Sequence, residues 1–258
     1  MAVDLACDER GAGAPLVILH GLFGSKRNWA SIAGKLATRR RVLTVDLRNH
    51  GASPWDAVHD YPALAADVAH LIRTRIGGPA AVLGHSMGGK AAMMLALAEP
   101  ELVERLVVVD VAPAASAGTM NEVLGALEAV PLASFNDRSE VEAALAGSVP
   151  DRAIRAFLAQ NVVRGPGGLH WAFNLEALVR HVDAILGFPA VPPGRTFTGP
   201  TLFVAGERSA YIGPEHREAI MRLFPAATVE VIAGAGHWVH AEAPEPFLEV
   251  VGRFLDAG

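Results

Sequence analysis

The chain has 258 residues and a formal net charge of −5, with 51% hydrophobic and 19% charged residues. Its 26 glycines and 17 prolines are spread along the chain, which excludes disordered, collagen-like and low-complexity proteins. The longest basic run is the triplet Arg39-Arg40-Arg41, too short for a nucleic-acid-binding footprint. We therefore expect a small-molecule partner and no nucleic acid.

The length fits one α/β domain that carries an insertion. The single cysteine, Cys7, excludes an intramolecular disulfide and a multi-thiolate metal site. Residues 1–13 lack the basic start and apolar block of a signal peptide, and the apolar stretch at 91–98 is far shorter than the roughly 18 to 20 residues of a membrane span. We expect a cytoplasmic protein with no membrane span, and the sequence leaves its oligomeric state open.

Short continuous apolar runs predict strands that are covered on both faces, as in a parallel sheet. In chain order they are Leu16–Leu19, Val42–Val45, Ala80–Leu83, Leu106–Val109 and Thr201–Val204. The helix-length segments outside them are Asn28–Thr38, Leu64–Ile76, Met87–Ala98 and Pro214–Phe224. This alternation predicts an α/β fold with a doubly wound, mostly parallel sheet.

The alternation stops between Val111 and Gly199, where the pattern predicts helices only. They are placed at roughly Met120–Val130, Glu140–Leu145, Arg152–Val162 and Leu175–Leu186. The helix at Leu175–Leu186 has an apolar stripe, with Asn174 as its N-cap and Gly187 at its C-terminal end. Ser139–Glu142 has the spacing of a capping box. We expect an inserted helical cap at residues 113–195 on an α/β core made of residues 1–112 and 196–258.

The sequence Gly84-His-Ser-Met-Gly88 follows a predicted strand and opens a predicted helix, which is the context that the Gly-x-Ser-x-Gly motif requires. Small residues allow a sharp turn that holds the Ser86 hydroxyl above the sheet edge, at a helix N-terminus that favours negative charge. Ser86 is the predicted nucleophile. Its attack on a carbonyl creates an oxyanion that needs two N–H donors, and we assign those of Met87 and of Leu22, in the Gly-rich loop after the first predicted strand.

The predicted general base is His237, in the sequence Gly234-Ala-Gly-His-Trp238 after a late apolar segment. A loop histidine at the end of a late strand can reach over the sheet to Ser86. His240 is a weaker alternative, and His20 is expected to fix a loop by hydrogen bonding. Four others are expected to be surface or packing residues: His85, pointing away from Ser86, and His170, His181 and His216, on helices or their ends.

The catalytic acid that would orient His237 is expected at the end of a predicted strand, where α/β sheets place their active sites. Asp110 ends the strand Leu106–Val109 and lies 24 residues after Ser86, enough for one helix and one strand, so it belongs to the neighbouring strand. Glu207 follows a later strand, and Asp183 lies in the cap. Asp110 is favoured, with Glu207 and Asp183 as alternatives.

Six stretches in chain order, spanning nearly the whole sequence, form a recognisable set. They are His20-Gly-Leu-Phe-Gly-Ser25 with Asn28-Trp29, Val45-Asp-Leu-Arg-Asn-His-Gly51 with Ser53-Pro54, Gly84-His-Ser-Met-Gly-Gly-Lys90, Val109-Asp-Val-Ala-Pro113, Trp171 with Asn174-Leu175, and Gly236-His-Trp-Val-His240. Together they resemble the α/β-hydrolase superfamily and, within it, the YbfF-like esterases and related abhydrolase-domain proteins.

The resemblance implies an α/β-hydrolase fold, a Ser/Asp/His triad whose acid after the sixth strand is Asp110, and hydrolysis of short- to medium-chain acyl esters or thioesters. Phe23, Trp171 and Trp238 are expected to contact the substrate. The chain departs from the usual pattern at Ser209, a position that is often aspartate in such hydrolases, and in the loop Pro192-Pro193-Gly194.

Arg48 and Asn49 are expected to brace the loop beneath the site rather than to bind substrate. No metal-ligand spacing and no dinucleotide-binding Gly-x-Gly-x-x-Gly loop is visible in the sequence, so we expect neither a metal nor a cofactor.

Three functions stay open. The first is a serine esterase or thioesterase. The second is another reaction on the same fold, either C–C bond hydrolysis or cofactor-free haloperoxidase or perhydrolase chemistry, and the third is a non-catalytic small-ligand receptor. Serine at position 86 excludes enzymes with an aspartate nucleophile, such as dehalogenases and epoxide hydrolases.

Overall fold

The structure, a computed structural model, describes residues 1–116 and 120–257. Its main sheet contains β1 (Cys7–Arg10), β2 (Pro15–Leu19), β3 (Arg41–Val45), β4 (Ala80–His85), β5 (Val103–Val109), β8 (Thr201–Gly206) and β9 (Ala227–Ile232). A separate hairpin consists of β6 (Val162–Gly165) and β7 (Gly168–Trp171).

The α-helices of the core are α1 (Ala30–Leu36), α2 (Tyr61–Leu71), α3 (Met87–Ala98), α9 (Arg217–Leu223), α10 (Val239–Glu242) and α11 (Pro244–Asp256). Those of the inserted segment are α4 (Met120–Ala129), α5 (Arg138–Ala144), α6 (Arg152–Ala159), α7 (Leu175–Arg180) and α8 (Val182–Leu186). The last turn of α2 continues as a π-helical turn, Ile72–Ile76.

The main sheet has the strand order β1-β3-β2-β4-β5-β8-β9. Strand β1 is antiparallel to β3, and every other neighbouring pair is parallel. Successive strand residues enter different apolar clusters: Val17 and Leu19 pack with α2, α3 and α9, whereas Leu16 and Ile18 pack with α1 and α11. Helices therefore cover both faces, and the prediction of a doubly wound, mostly parallel sheet is confirmed.

Strand β1 was not expected from the sequence. Its residues, Cys-Asp-Glu-Arg, are mostly exposed at the sheet edge, so they carry no apolar run that would mark a strand. Asp110 consequently follows the fifth strand of this chain, β5, and not the sixth strand that the resemblance implied.

The expectation that the inserted segment contains helices only is wrong. Helix α6 ends at Ala159, and Val162 opens the hairpin β6–β7, whose turn is Gly165-Pro-Gly-Gly168. Gly168 has φ 101°, a left-handed conformation that glycine adopts without a side-chain clash. This glycine- and proline-rich turn between two apolar-containing runs was the available signal for a hairpin.

Two helix boundaries in the inserted segment also differ from the predictions. The N-cap of α5 is Asp137, whose carboxylate accepts from the Ser139 and Glu140 amides, so the capping box expected at Ser139 is absent. The helix expected at residues 175–186 is interrupted at His181 and forms α7 and α8. The predicted N-cap, Asn174, is confirmed because its side chain accepts from the Ala177 amide at 3.3 Å.

Core side chains hold the C-terminal end of α8. Buried Lys90 of α3 donates from Nζ to the carbonyl oxygens of Leu186 and Gly187 at 2.8 and 2.7 Å. Tyr61 of α2 donates its hydroxyl to the Ile185 carbonyl at 2.5 Å. These bonds fix where the inserted helices sit over the carboxyl edge of the sheet.

The division into a core and a cap at residues 112/113 and 195/196 stays a prediction, and residues 117–119 and 258 of those ranges lie outside the described residues. Within 1–116 and 120–257, no helix combines the length and apolar character that would be needed to cross a membrane.

Candidate active site

Ser86 lies in the sharp turn between β4 and α3 with φ 52° and ψ −119°. The turn requires glycine at the two flanking positions, because the neighbouring backbone leaves no room for a side chain. A Cβ at Gly84 would overlap the Gly88 carbonyl, and a Cβ at Gly88 would come within 2.5 Å of the His20 carbonyl oxygen. The predicted strand–serine–helix turn is therefore present, with Ser86 directly before the first turn of α3.

Non-glycine residues with positive φ in the described part of the chain are Phe23, Asn49, Ser86 and Asp110. Ser86 and Asp110 lie at the carboxyl ends of β4 and β5, and Phe23 follows the Gly21-Leu22 pair of the loop after β2. Such conformations cost about 1–3 kcal/mol each and concentrate at functional sites. The strained backbone thus marks the same loops that the sequence motifs mark.

His237 Nδ1 donates to Asp110 Oδ2 at 2.7 Å. Because Nδ1 carries the proton, the neutral ring leaves Nε2 as an acceptor, the tautomer that a general base requires. The Asp110 side chain is fully buried, whereas that of His237 is 22% exposed and lines a cavity together with Ser86.

The Asp110 carboxylate has donors besides His237. Oδ1 accepts from the Gly206 amide at 3.0 Å, and Oδ2 accepts from the Ser209 hydroxyl at 2.5 Å. These donors satisfy both oxygens of a carboxylate that has no access to water. Ser209, where the sequence departs from the usual aspartate, therefore contacts the acid directly.

The alternative acids have other contacts. Glu207 is exposed and accepts from the Gly234 amide at 2.8 Å. Asp183 is exposed on α8. Of the carboxylates weighed from the sequence, Asp110 is the one that the structure brings to His237.

The loop after β2 passes against Ser86. A Cβ at Gly21 would lie 3.2 Å from Ser86 Cβ and 2.9 Å from His85 Nδ1, so no side chain fits between them. Leu22 follows directly, and Met87 is the first residue of α3, where an N–H has no intrahelical acceptor. The assignment of these two N–H groups as oxyanion donors stays a prediction.

Two buried histidines brace this loop. His20 donates from Nδ1 to the Gly21 carbonyl at 2.8 Å and accepts from the Leu47 amide at Nε2, 3.0 Å, which confirms its loop-fixing role. His50 donates from Nδ1 to the Arg48 carbonyl and accepts from the Phe23 amide at 3.3 Å. Burial lowers the pKa of His20 to about 4 and that of His50 to about 3, so both rings are neutral near pH 7.

Arg48 and Asn49 brace loops, as predicted. Arg48 donates from Nε and Nη2 to the buried Asp67 carboxylate at 2.6 and 2.7 Å. The Asn49 Oδ1 accepts from the Asp56 amide at 2.7 Å. Neither residue lines the cavity that contains Ser86.

His85 is a packing residue, one of the two roles expected for it. Its ring is buried at the end of β4, lies 4.7 Å from the His237 ring between centroids, and donates from Nε2 to the His237 carbonyl at 2.9 Å. Both sheet faces are covered at this position, so the side chain packs beneath the His237 loop instead of reaching solvent. His85 thereby links the loops that carry Ser86 and His237.

His240, the weaker alternative base, is buried and stacks on Trp29 with 4.0 Å between ring centroids. Burial lowers its pKa to about 3. The remaining predicted surface histidines are exposed or half-buried, but His170 lies on strand β7 instead of a helix.

The cavity that contains Ser86 and His237 has a volume of about 240 Å³. Of the predicted substrate contacts, Phe23 and Trp238 line it. Other apolar side chains of its wall were not among the predicted substrate contacts and include Leu22, Met120, Val123, Ile154, Phe157, Leu158 and Leu186. The spacing of Ile154, Phe157 and Leu158 on one face of α6 was the available sequence signal.

Trp171 does not line this cavity. Its indole is 7% exposed and stacks on Phe173 with 5.3 Å between centroids and 10° between planes. It belongs to the apolar cluster beneath the inserted helices and borders a separate surface groove. The structure therefore gives Trp171 a packing role.

Across residues 1–116 and 120–257, no three His, Cys, Asp or Glu side chains are grouped so that they could hold a metal ion. The polar groups at the cavity are instead hydroxyl, imidazole, amide and phenol groups. Such groups fit nucleophilic attack on a carbonyl with proton transfer by an imidazole.

Comparison with known proteins gives consistent matches along the chain. The sequence model of the alpha/beta hydrolase family matches residues 16–250. The sn-1-specific diacylglycerol lipase ABHD11 of Xenopus tropicalis is 43% identical over 99% of this chain and 83% of its own length. Esterase YbfF of Escherichia coli (strain K12) is 35% identical over 94% of this chain and 93% of its own.

The solved structure of a marine microorganism esterase superposes with a TM-score of 0.93 at 33% identity, covering 98% of this chain and all of that one. The family match, the relatives and the solved structure agree on the same fold along nearly the whole chain. The chain therefore belongs to the alpha/beta hydrolase family, and it is an enzyme of the carboxylesterase type found among these relatives.

Proposed function

We propose that this hydrolase cleaves carboxylic esters or thioesters of short to medium acyl chains through an acyl-enzyme formed on Ser86. The observation that carries the proposal is the 2.7 Å hydrogen bond from His237 Nδ1 to the buried Asp110, with His237 and Ser86 on the same cavity. A receptor has no need of this arrangement, which supports catalysis over simple ligand binding.

In the proposed reaction, Ser86 Oγ attacks the acyl carbonyl while His237 Nε2 takes its proton. The Leu22 and Met87 N–H groups hold the oxyanion. Collapse of the tetrahedral intermediate breaks the acyl–oxygen or acyl–sulfur bond, and His237 returns its proton to the departing alcohol or thiol. Water then attacks the acyl-enzyme with His237 again as base, and collapse of the second tetrahedral intermediate releases the acid while His237 returns the proton to Ser86 Oγ.

Asp110 keeps His237 in the working tautomer and stabilises the imidazolium that forms in each step. The two donors on Asp110 besides His237, the Gly206 amide and the Ser209 hydroxyl, hold the carboxylate in place. Because Asp110 has no exposed surface, water does not screen its charge from the imidazolium.

The size and lining of the cavity support the acyl-chain preference. Its volume of about 240 Å³ lies below the roughly 300–1,000 Å³ typical of ligand pockets. The wall supplied by α4, α6 and α8 is apolar, with Met120, Val123, Phe157 and Leu186 facing the cavity. An extended long chain would exceed this space, whereas a short or medium acyl group would fill it.

The test is a panel of acyl esters and acyl thioesters with graded chain length, assayed with the parent enzyme and with Ser86→Ala. We expect a maximum of kcat/KM at short to medium chains and no turnover by Ser86→Ala. Turnover only of C–C bonded substrates, or halogenation and perhydrolysis without ester cleavage, would select the other chemistry that the same side chains support. The cytoplasmic location stays a prediction.

A further inference from the structure

Tyr211 is an aromatic side chain of the candidate site that no motif marked. It lies in the loop after β8, half-buried, and lines the same cavity as Ser86 and His237. Its ring stacks on the His237 imidazole with 4.1 Å between centroids and 24° between planes. The phenol therefore covers one face of the ring that is proposed to carry the proton.

The backbone next to Tyr211 is tied to the acid. The Tyr211 amide donates to Ser209 Oγ at 3.3 Å, and the Ser209 hydroxyl donates to Asp110 Oδ2 at 2.5 Å. The carboxylate accepts from Nδ1 at the edge of the His237 ring, whereas the phenol ring stacks on its face. The hydrogen bond at the ring edge and the stack on the ring face thus restrain the imidazole against rotation in its plane and out of its plane.

The face of an aromatic ring carries negative charge density and attracts a cation held above it, more strongly where water is excluded. A neutral imidazole gains less from that face than an imidazolium does. Resting on the proposed acyl-enzyme mechanism, we propose that Tyr211 is a positioning residue that fixes the His237 ring and favours its imidazolium form in the transition states.

The other groups that face His237 do not supply the stabilisation of its imidazolium that the Tyr211 ring provides. The Asp110 carboxylate contacts the ring at Nδ1, and it is unchanged in any Tyr211 variant. Burial lowers the pKa of His85 and His240, so these neighbours are neutral at the pH of the assay. Trp238 approaches the ring at 5.9 Å and 60°, an edge arrangement instead of a stack.

The experiment compares Tyr211→Leu, which removes the ring, with Tyr211→Phe, which keeps it. We expect Tyr211→Leu to lower kcat/KM about 2- to 30-fold, mainly through kcat, as the range of cation–π energies implies. The acidic limb of its kcat/KM–pH profile should move to lower pH by about 0.3 to 1.5 units, the same factor expressed on a logarithmic scale, because the imidazolium of the free enzyme loses the same stabilisation. Tyr211→Phe should restore most of both effects.

Trp238→Leu is the matched control, since it removes a second aromatic of the cavity that touches His237 without stacking on it. It should raise KM through the lost apolar wall and leave the acidic limb in place. Thermal unfolding of each variant, with Tyr211→Met as a second ringless substitution, separates a loss of folded protein from a loss of activity.

An unmoved acidic limb in both Tyr211→Leu and Tyr211→Met would overturn the proposal, as would a Tyr211→Phe enzyme as impaired as the ringless ones. Failure of the underlying mechanism looks different, because Ser86→Ala would then keep its turnover. If the ringless variants have parent-like kcat/KM while Ser86→Ala is inactive, the positioning role of Tyr211 is wrong and the acyl-enzyme mechanism is retained.

Discussion

Acidification is expected to destabilise this protein steeply, because buried histidines must stay neutral in the folded state. Burial lowers the pKa of His20 to about 4, and those of His50 and His240 to about 3. The ordinary histidine value of about 6.5 applies to the unfolded chain. Between these values the unfolded chain binds more protons than the folded one, so the stability present above about pH 6.5 is lost as the pH falls.

The size of the effect follows from these values. At pH 5, each of the three histidines favours the unfolded chain by about 2 kcal/mol relative to pH 8, or about 6 kcal/mol together. This sum is comparable to the total stability of a typical domain, about 5–15 kcal/mol. The protein should therefore approach its unfolding transition near pH 5 at room temperature.

The assay is urea unfolding followed by circular dichroism at pH 8, 7, 6 and 5. His240→Phe keeps an aromatic ring on Trp29 and removes one titrating group, so it should reduce the loss between pH 8 and pH 5 by about a third. His170→Gln, at an exposed site, serves as the control with an unchanged loss. Equal free energies of unfolding at pH 8 and 5, or the full loss in His240→Phe, would refute the reasoning.

Two further predictions concern the acid and the contact between α3 and α8. Asp110→Asn should lower kcat by about 10,000-fold with little change in KM, as loss of the corresponding aspartate does in a well-studied serine protease, whereas Glu207→Gln and Asp183→Asn should stay within about tenfold of the parent. A crippled Glu207→Gln or Asp183→Asn beside a nearly normal Asp110→Asn would move the acid elsewhere. Lys90→Met should lower the free energy of unfolding by about 1–3 kcal/mol in urea, because the Leu186 and Gly187 carbonyls lose their buried donor. Parent-like stability of Lys90→Met would show that this contact does not hold α8 in place.

The core of the fold was predictable because its strands are buried on both faces. Continuous apolar runs such as Leu16–Leu19 and Ala80–Leu83 follow directly from that burial, and the serine turn needs glycines that are visible in the sequence. Edge strand β1 lacks that signal because its residues are polar and mostly exposed. The hairpin β6–β7 was missed because Val162 continued an apolar helical spacing beyond the end of α6 at Ala159.

The candidate site was predictable where its chemistry fixes the residue type. Ser86, Asp110 and His237 stand out by type and by position after a strand, and the structure brings Asp110 to His237. The roles of His85, Trp171 and Tyr211 depend on which neighbour each ring meets across the fold. His85 meets the His237 carbonyl, and Tyr211 meets the His237 ring, contacts between residues more than twenty positions apart that no local pattern encodes.

The central claim, that Ser86 forms the acyl-enzyme, is tested most directly by labelling with a fluorophosphonate and mapping the adduct by peptide mass spectrometry. One adduct per chain should form on the peptide that contains Ser86, with loss of ester turnover in step with labelling, and Ser86→Ala should neither label nor turn over. An adduct at any other residue, or full activity in Ser86→Ala, would contradict the assignment.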